Sequence, residues 1–434
     1  MLVGGEPGPW GPLVEGGRRW RLLRRAALTV GVLVLVAATA ATTTGMLLVQ
    51  QAESSLTRVP IPELDVPAEP LEARHFLVVG SDDREGLDAD QRRELALGSF
   101  DGQRSDVVIY VAISADRDTV SLVSFPRDLL VFDDGRRRKL TDTFSGGPDR
   151  LVRVMQENFG LPINHYAQVS LGGFIGVVST LGGVEICLDA PLRDRKAGAD
   201  FDAGCHHMSA EESLAYVRSR QGARADLERI DRQQIFLRAV LKELTKRQVI
   251  YDVPRLFRLV DDVASNVVTD EHLGVAQMRA VADEMREVVA DGFPMTTVPA
   301  YPRRIDGLWF MVAYGPGLRA MLEDLRAGRP LADPGTRDER ADTVVAVWTA
   351  NRWQGADIVV STLAFAGFPA GGAGQGPAEL DPGETTTVYR LPGGDEAAER
   401  IAAVLGAPIR PLPESVSAPQ AADVVVVVGD DATS

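Results

Sequence analysis

Two patterns of apolar and polar positions alternate along most of the chain. Short runs rich in β-branched residues have the length and composition of buried strands, and the clearest are FLVVG (76–80), VVIYVAIS (107–114), TVSLVSF (119–125) and VEICL (184–188). Elsewhere apolar residues recur at helical spacing, in residues 149–158, 171–182, 209–219, 226–247 and 273–290. The alternation predicts an α/β fold: an α-β-α sandwich with helices on both faces of a central mixed sheet.

A second, smaller αβ pattern follows a polar break. Residues 328–342 are polar and contain two prolines, which predicts a linker after a first domain at 75–327. The last domain, at 343–431, has strand patterns in TVVAVWTAN (343–351), TTTVYRL (385–391) and DVVVVVGDD (423–431), and a helix pattern in Ala397–Leu405. Reactive side chains do not cluster there, so we interpret it as a binding or spacer domain.

The N-terminal segment carries a membrane signal. Five arginines, at positions 18, 19, 21, 24 and 25, precede residues 26–51, which contain no charged side chain. This stretch is long enough to cross a bilayer as a helix, and the arginines predict that residues 1–25 stay in the cytoplasm. The alternative is a cleaved signal peptide, which the length of the apolar run disfavours. On either interpretation the chain beyond residue 52 lies outside the cytoplasm.

That location changes how two other features are interpreted. Residues 52–74 are rich in proline and glutamate and predict an extended stalk between membrane and domain. The two cysteines, Cys187 and Cys205, are candidates for a disulfide outside the cytoplasm. The formal net charge of -15 disfavours nucleic acid as a partner, because a polyphosphate backbone usually requires a basic surface.

Charged side chains stand at the ends of the first three predicted strands. The crevice at strand ends is the usual ligand site of an open α/β sheet. The residues concerned are Asp82 and Arg84 after the first strand, Arg104 and Asp106 before the second, and Arg127 after the third. For each segment alone, a turn or a surface ion pair is the favoured interpretation.

The predicted helix at 226–247 adds two candidates. Arg229 and Gln233 lie at one edge of its apolar stripe, whereas Arg232 points roughly the opposite way. The helical wheel therefore favours Arg229 and Gln233 over Arg232 as site residues.

The preceding helix, at 209–219, ends beside Arg218 and Arg220. Arginines at a helix end are common, because they complement the helix dipole. Taken with the strand ends, however, they bring several arginines and two carboxylates toward one crevice of an acidic protein. The guanidinium fork matches phosphate oxygens, and paired aspartates beside phosphates suit Mg²⁺. We therefore expect a diphosphate site.

Other phosphate and nucleophile templates are missing from the sequence. It contains neither a Gly-x-x-x-x-Gly-Lys-Ser/Thr loop nor a Gly-x-Ser-x-Gly elbow. Since ATP is not supplied outside the cytoplasm, a donor substrate has to arrive already activated. A glycan linked to a polyprenyl diphosphate in the membrane meets that requirement.

With these motifs in view, the sequence resembles the LytR-CpsA-Psr family. The matching stretches occur in family order over about residues 75–250: HFLVVGSDDR (75–84), RSDVVIYVAI (104–113), VSLVSFPRDLLV (120–131), NHYAQVSLGGF (164–174), LGGVEICL (181–188), ESLAYVRSR (212–220) and DLERIDRQQ (226–234). Residues 343–431 resemble the LytR C-terminal domain that often follows. One departure is KLTDTFSGG (139–147), where the family usually has a more alanine-rich stretch, so no acceptor residues are assigned.

The resemblance implies a phosphotransferase that moves a glycopolymer from a polyprenyl-diphosphate carrier onto peptidoglycan. It implies that Asp82 and Asp106 hold Mg²⁺ and that Gln233 supports the phosphate site. It also implies a set of arginines that engage the diphosphate: Arg84, Arg104, Arg127, Arg218, Arg220 and Arg229.

Two alternatives to the transferase stay open on the sequence. One is a membrane-tethered protein that binds polyprenyl phosphate without catalysis, including the attenuator role by which the family was first labelled. The other is a pyrophosphatase acting on the same lipid, with water as acceptor. The sequence also does not decide which carboxylate acts as general base.

Overall fold

The computed structural model describes residues 50–51, 53–65, 73–81, 105–116, 118–220, 225–244, 266–274, 277–278, 280–281, 288, 293–380 and 383–434. The chain divides into residues 1–54 and a compact unit of residues 55–434. The predicted membrane-spanning segment lies outside the described residues except for its last two. In the described part of the chain, no helix is both long and apolar enough to cross a membrane.

The described residues of the predicted domain at 75–327, with those just before it, form both strands and helices. The strands are β1 Thr57–Val59, β2 Arg74–Ser81, β3 Ser105–Ile113, β4 Val120–Phe125, β5 Leu130–Asp133, β6 Arg136–Lys139, β7 His165–Val169, β8 Val184–Leu188, β9 Leu192–Asp194, β10 Ala199–Phe201, β11 Gly204–Met208, β12 Val267–Asp270, β13 Met295–Thr297, β14 Ala300–Ile305 and β15 Leu308–Ala313. The helices are α1 Leu140–Thr143, α2 Pro148–Phe159, α3 Leu171–Leu181, α4 Ala210–Arg218, α5 Ala225–Leu244 and α6 Gly315–Arg326.

A seven-stranded mixed sheet lies at the centre, in the order β1-β12-β7-β2-β3-β4-β13. β3 runs antiparallel to both β2 and β4, whereas β7 lies parallel to β2 and β13 parallel to β4. Both faces of the sheet are covered. Along β2, Leu77 and Val79 belong to a core shared with α2 and α6, while Phe76 and Val78 pack in a second core with Leu237 of α5. This alternation is the period of a strand buried on both faces, and it confirms the predicted mixed α/β architecture.

Helix α5 contacts three apolar cores. Ile230 packs against the core on one face of the sheet and Leu237 against the core on the other. Phe236 and Val240 belong to a third core, formed with α3, α4 and β8. The sequence predicts a single apolar stripe on this helix; the structure buries more of its circumference, because the helix lies where the three cores meet.

β8 differs from the prediction of a buried strand like the first three. It pairs with β11 in a separate two-stranded sheet, with Val184 and Ile186 buried and Glu185 exposed. The chain turns into β8 through Gly182 and Gly183, both at positive φ (75° and 105°), where a side chain would be strained. Cys187 and Cys205 lie opposite each other in this hairpin and form a disulfide.

The start of the predicted stalk packs on the domain. β1 pairs with β12 at the edge of the central sheet, and Ile61 is buried in the main core. The prolines at 60 and 62 are interleaved with apolar residues, and burying those residues favours contact with the domain over an extended chain in solvent.

The C-terminal unit is a second, five-stranded sheet with helices packed on it. Its strands are β16 Val345–Thr349, β17 Ala370–Gln375, β18 Thr387–Arg390, β19 Ile409–Pro411 and β20 Val424–Val428, in the order β17-β16-β20-β18-β19. Its helices are α7 Arg337–Asp342, α8 Trp353–Phe365 and α9 Asp395–Leu405. β16, β18, β20 and α9 coincide with the predicted elements, whereas α7 occupies part of the predicted linker. Contacts continue across that linker, since Phe365 of α8 belongs to the main core of the first domain.

Candidate functional site

The ends of β2, β3 and β4 from which the predicted charged residues continue lie together at one end of the central sheet. Ser81, the last residue of β2, pairs with Ser105 at the start of β3, and Phe125 at the end of β4 pairs with Val108. Because β3 is antiparallel to both neighbours, its first residues lie beside the last residues of β2 and β4. The described strand ends are therefore adjacent, as the prediction of one site requires, while residues 82–104 lie outside the described residues.

The predicted site residues at this end of the sheet are described to different extents. Asp82, Arg84 and Arg104 lie outside the described residues, and Asp106 is described only as part of the backbone of β3. Arg127, which follows β4, is described in full.

A cavity of about 260 Å³ opens beside the end of β4. Three of the predicted residues line it: Arg127, Arg229 and Gln233. Most of the remaining wall is apolar and comes from Val107, Ile109, Phe125, Ile230, Trp309, Phe310, Met311 and Phe365. The cavity thus combines guanidinium groups with an apolar lining, as a ligand with a charged head and an apolar portion requires.

One carboxylate and three cationic side chains set the charge of this cavity. Asp128 accepts a hydrogen bond from Lys139 Nζ at 2.8 Å and lies 3.6 Å from Arg127 Nε. Burial by itself raises the pKa of Asp128, but the hydrogen bond from Lys139 and the charges of Arg127 and Arg229 outweigh it and hold the pKa below its ordinary value. Asp128 is therefore ionised, and with three cations around it the cavity retains net positive charge.

Backbone hydrogen bonds fix the loop that carries Arg127. Leu129 N donates to Pro126 O at 2.9 Å, which closes a turn, and Thr141 N of α1 donates to Arg127 O at 2.9 Å. From the other side, Met311 N of β15 donates to Asp128 O at 2.9 Å. Because the turn itself and two further elements, α1 and β15, hold this backbone, the arginine is presented from a rigid support.

The face of α5 that carries Arg229 and Gln233 is tied to the end of the sheet. Gln234 Nε2 donates to Ser124 Oγ of β4 at 3.2 Å and to Thr297 Oγ1 of β13 at 3.1 Å. Arg229 is 5% exposed. Its charge helps to lower the pKa of Asp128 on the same wall, and a guanidinium group on the cavity wall suits an anionic ligand.

Arg232 has a different position, as the helical wheel predicts. It is buried, and its Nη2 donates to Ser219 O at 2.7 Å, between Arg218 and Arg220. It is not among the residues that line the cavity. Arg232 therefore joins α5 to the end of α4.

Arg218 and Arg220 also lie outside the cavity lining. Arg218 is the last residue of α4, which begins with a capping box formed by Ser209 and Glu212. Asp194 receives hydrogen bonds from Arg220 N at 2.7 Å and Ser219 Oγ at 3.3 Å, and these, led by the bond from Arg220, hold its pKa below the ordinary value. Asp194 is thus a support for the arginine segment that sequence reasoning missed.

Lys139 and Trp309 also line the cavity and were not predicted. Lys139 ends the basic run RRRK of β6, in which nothing local distinguishes it from its neighbours. Trp309 lies far along the chain, in the β14–β15 hairpin. A tryptophan that shares the short segment PRRIDGLW with two arginines is the signal that would have indicated it.

Comparison with known proteins gives relatives from bacterial cell wall assembly. The chain is 31% identical over 239 residues to the probable cell wall biosynthesis protein LcpB of Corynebacterium glutamicum, covering 54% of this chain and 58% of that protein. It is 26% identical over 313 residues to the cell wall biosynthesis protein LcpA of the same organism, covering 62% and 59%. A Bacillus subtilis relative, 30% identical over 189 residues (40% and 48%), is named polyisoprenyl-teichoic acid–peptidoglycan teichoic acid transferase TagV. The matches thus span little more than half the length of the two corynebacterial relatives.

The fold has a counterpart of known structure. A LytR-Csp2A-Psr enzyme from Actinomyces oris superposes with a TM-score of 0.51 at 23% identity, covering 62% of this chain and 95% of that one. The family model described as the LytR_cpsA_psr family matches residues 37–327, which is more than half of the chain. The motifs at the sheet end, the mixed sheet and this match agree: the chain belongs to the LytR-CpsA-Psr family.

Proposed function

We propose that this protein transfers a glycopolymer from a polyprenyl-diphosphate carrier to peptidoglycan, forming a phosphodiester linkage. The observation that carries the proposal is the cavity in which Arg127, Lys139 and Arg229 surround a space walled largely by apolar side chains. A diphosphate between a sugar and a prenyl chain has that combination of charge and apolar surface. The Bacillus subtilis relative is named as a transferase of a polyisoprenyl-linked polymer, which supports the same reaction class.

In this proposal the diphosphate is bound by arginines from three parts of the fold. Arg127 and Arg229 face it from the cavity wall, Arg84 and Arg104 from the segments flanking β2 and β3, and Arg218 and Arg220 from the end of α4. Gln233 supplies an amide donor beside Arg229. Charge-assisted hydrogen bonds of this kind stabilise negative charge that grows on the leaving phosphate.

Asp82 and Asp106 are the proposed ligands of Mg²⁺. The pairing of Ser81 with Ser105 supports this set, because Asp82 and Asp106 each follow a member of that pair at the same end of the sheet. Two carboxylates completed by substrate oxygens and water suit the preference of Mg²⁺ for hard oxygen ligands. When bound, the ion would neutralise charge on the diphosphate.

The proposed reaction is a substitution at the phosphorus nearest the glycan. A sugar hydroxyl of peptidoglycan attacks that phosphorus, a new P–O bond forms, and the bond to the polyprenyl phosphate breaks. The hydroxyl proton passes to a carboxylate, for which Asp82 and Asp106 are the candidates. Asp128 is a poor base because its neighbours hold its pKa low; its role is to orient Lys139 and Arg127.

The proposed location is the outer face of the cell membrane, with residues 26–51 as a single anchor and residues 1–25 in the cytoplasm. The disulfide between Cys187 and Cys205 supports this location, since disulfides persist in oxidising compartments. We also propose that residues 75–327 form the phosphotransferase domain, joined by a linker at 328–342 to a LytR C-terminal-like domain at 343–431.

The test is a product assay with the full chain in detergent or nanodiscs. It would be incubated with a synthetic polyprenyl-diphosphate glycan, Mg²⁺ and peptidoglycan oligomers, and the products identified by mass spectrometry. A phosphodiester-linked glycan on the wall fragment is expected. Arg127→Ala and Arg229→Ala should each lower kcat by about 100-fold or more, whereas Arg390→Ala, which removes an exposed ion pair with Asp395, serves as the matched control.

Other products would point elsewhere. Free glycan phosphate as the sole product would indicate a pyrophosphatase, and lipid that is bound but unchanged would indicate a binding protein. Near-normal transfer by both cavity variants would overturn the assignment of the site.

A further inference from the structure

Three of the seven large apolar side chains that the described part of the chain leaves exposed lie on two adjacent hairpins. Phe132 of the β5–β6 hairpin is 52% exposed, and Leu308 and Trp309 of the β14–β15 hairpin are 61% and 62% exposed. Scattered exposed apolar residues need no explanation, but a group of them rimmed by polar residues marks an interaction surface.

The two hairpins form one continuous surface. Met311 of β15 bridges to Leu129, the residue before β5, and donates its N–H to Asp128 O at 2.9 Å. At the outer ends, Arg137 Nη1 lies 3.1 Å from Asp306 Oδ2 in the β14–β15 turn. The two hairpins are therefore held beside one another.

Hydrogen bonds to the backbone of Phe132 keep its side chain facing outward. Asn158 of α2 accepts from Phe132 N at 2.7 Å and donates to Phe132 O at 2.8 Å. On the opposite face of the same hairpin, Val131 and Asp133 are buried, and Asp133 forms ion pairs with Arg138, Arg150 and Arg153. Since that face is anchored to the domain, the face with Phe132 has to remain outside.

The charge of this surface is opposite to that of the whole chain. Residues 130–139 and 300–313 contain six basic and three acidic residues, in a chain of net charge -15. Of the three acids, Asp133 is buried and Asp306 is paired with Arg137. The surface is therefore basic, and its partner is expected to be anionic.

The mixture of side chains favours a lipid bilayer over a glycan. Tryptophan concentrates at the membrane–water interface, arginine extends its charge toward headgroups while its stem lies on apolar groups, and basic residues are attracted to anionic lipids. Leu308 has no flat face to stack on a sugar ring. Trp309 also lines the cavity, so a bilayer contacting this surface would adjoin the cavity mouth.

We propose that Phe132, Arg137, Arg304, Leu308 and Trp309, the hairpin surface, form a peripheral docking site for an anionic lipid bilayer. This contact is additional to the anchor at 26–51, and it orients the cavity toward the membrane. The supply of lipid-linked substrate through that mouth rests on the proposed function; the docking itself does not.

The test measures the depth of Trp309 in full-length protein reconstituted into vesicles. Vesicles of phosphatidylcholine, with and without phosphatidylglycerol, would carry brominated acyl chains that quench nearby tryptophan fluorescence. Subtracting the quenching of Trp309→Phe isolates Trp309 from the other tryptophans. Trp353→Phe is the matched control, because Trp353 is also exposed (47%) but lies in the C-terminal unit.

Quenching of Trp309 in the anionic vesicles, but not of Trp353, is expected. Arg137→Gln and Arg304→Gln should each lower the ratio of docked to undocked protein by about fivefold, and circular dichroism would verify their fold. Trp309 emission that brominated lipid leaves unchanged would overturn the proposal, as would equal quenching in vesicles without anionic lipid. A response only to peptidoglycan fragments would assign the surface to a glycan instead. Because no outcome requires turnover, failure here is distinguishable from failure of the transferase assay.

Discussion

Asp128 is the residue on which the charge balance of the cavity depends. It pairs with Lys139 and lies beside Arg127, and the charge of Arg229 also acts on it. One carboxylate among three cations keeps the cationic side chains in place while leaving positive charge for a ligand. A fully neutralised cavity would have no electrostatic preference for a diphosphate.

The Lys139→Gln variant tests this balance. It removes one cation from the cavity, so that Arg127 and Arg229 are the cations of the cavity that remain to balance Asp128. A charge-assisted hydrogen bond contributes about 1.5–3 kcal/mol, so kcat/KM for transfer should fall by about 10- to 100-fold. Arg136→Gln, which removes an exposed arginine of the same basic run, should change it little. Equal loss in both variants would mean that general surface charge, rather than the cavity, governs the reaction.

A buried histidine makes stability depend on pH. His75 is 7% exposed, and its Nδ1 lies 2.8 Å from the hydroxyl of Tyr110. Burial lowers the pKa of His75 from 6.5 to about 4, against a smaller opposing effect of Asp65. Below pH 6.5 the unfolded chain therefore binds a proton that the folded protein does not bind until about pH 4. The stability that the neutral ring contributes is present above pH 6.5 and is lost as the pH falls toward 4.

Urea denaturation at pH 7 and pH 5 measures this effect. The free energy of unfolding should fall by about 2 kcal/mol between these values because of His75 alone. His75→Gln, which does not titrate, should be less stable at pH 7 but lose less on acidification. The matched control is His207→Gln, at an exposed histidine of the β8–β11 hairpin. If His75→Gln and the wild-type protein have parallel pH profiles, the histidine is not the titrating group.

At the scale of elements, the order of strands decides where the site forms. Antiparallel pairing of β3 with β2 and β4 brings the ends of β2 and β4 and the start of β3 to the same end of the sheet. Helix α5 reaches that end of the sheet through Gln234, and Arg232 joins α5 to the end of α4 through Ser219 O. Arg127 and Arg229 are distant in sequence and share the cavity because of this topology.

The stability of the β8–β11 hairpin is expected to depend on its disulfide. Cys187 and Cys205 are exposed, so a reductant reaches the bond without unfolding the protein. The bond closes a segment of 18 residues, for which cross-linking stabilises by about 3 kcal/mol. Dithiothreitol should therefore lower the melting temperature of the wild-type protein. The double variant Cys187→Ser/Cys205→Ser should start from the lower value and show no response; a wild-type melting temperature that dithiothreitol leaves unchanged would contradict the prediction.

At the scale of the whole molecule, the C-terminal unit packs against the domain that carries the cavity. Phe365 of α8 lines the cavity and is buried in the main core. Arg340 of α7 is 8% exposed, and its Nη2 lies 2.9 Å from Asp231 of α5, between Arg229 and Gln233 in the sequence. Glu339 of α7 pairs in turn with Arg400 of α9 at 3.2 Å. The C-terminal unit therefore contacts the helix that carries two of the proposed site residues.

Breaking this contact should affect stability and transfer together. Arg340→Ala leaves the half-buried carboxylate of Asp231 without its cation, which for buried pairs costs about 3–5 kcal/mol. A double-mutant cycle with Asp231→Ala should give a coupling energy of about 1–3 kcal/mol in urea denaturation. The exposed pair Arg390–Asp395 is the matched control and should give below about 1 kcal/mol.

The kinetic outcome separates positioning from general destabilisation. Arg340→Ala should lower kcat/KM at temperatures where the protein stays folded, and Arg340→Lys should recover part of it. Normal kinetics in folded Arg340→Ala would mean that the C-terminal unit only stabilises the fold.

The sequence by itself determined the features that local patterns encode. β2, β3 and β4 are continuous apolar runs because both faces of those strands are buried. α4 begins at a capping box, and the wheel of α5 separates Arg229 and Gln233 from Arg232 because helical spacing sets the direction of a side chain. The family motifs lie on these same elements, so the fold class and the family were accessible before the structure.

Only the tertiary structure decided which distant residues share the cavity. Lys139, Trp309 and Phe365 come from a hairpin, a second hairpin and the C-terminal unit, and no local pattern relates them. The pair Arg340–Asp231 spans 109 residues, and β1 joins the sheet because a strand more than 200 residues later is available to pair with it. Contacts of this kind depend on chain topology and packing, whereas sequence patterns report only how each segment meets its immediate surroundings.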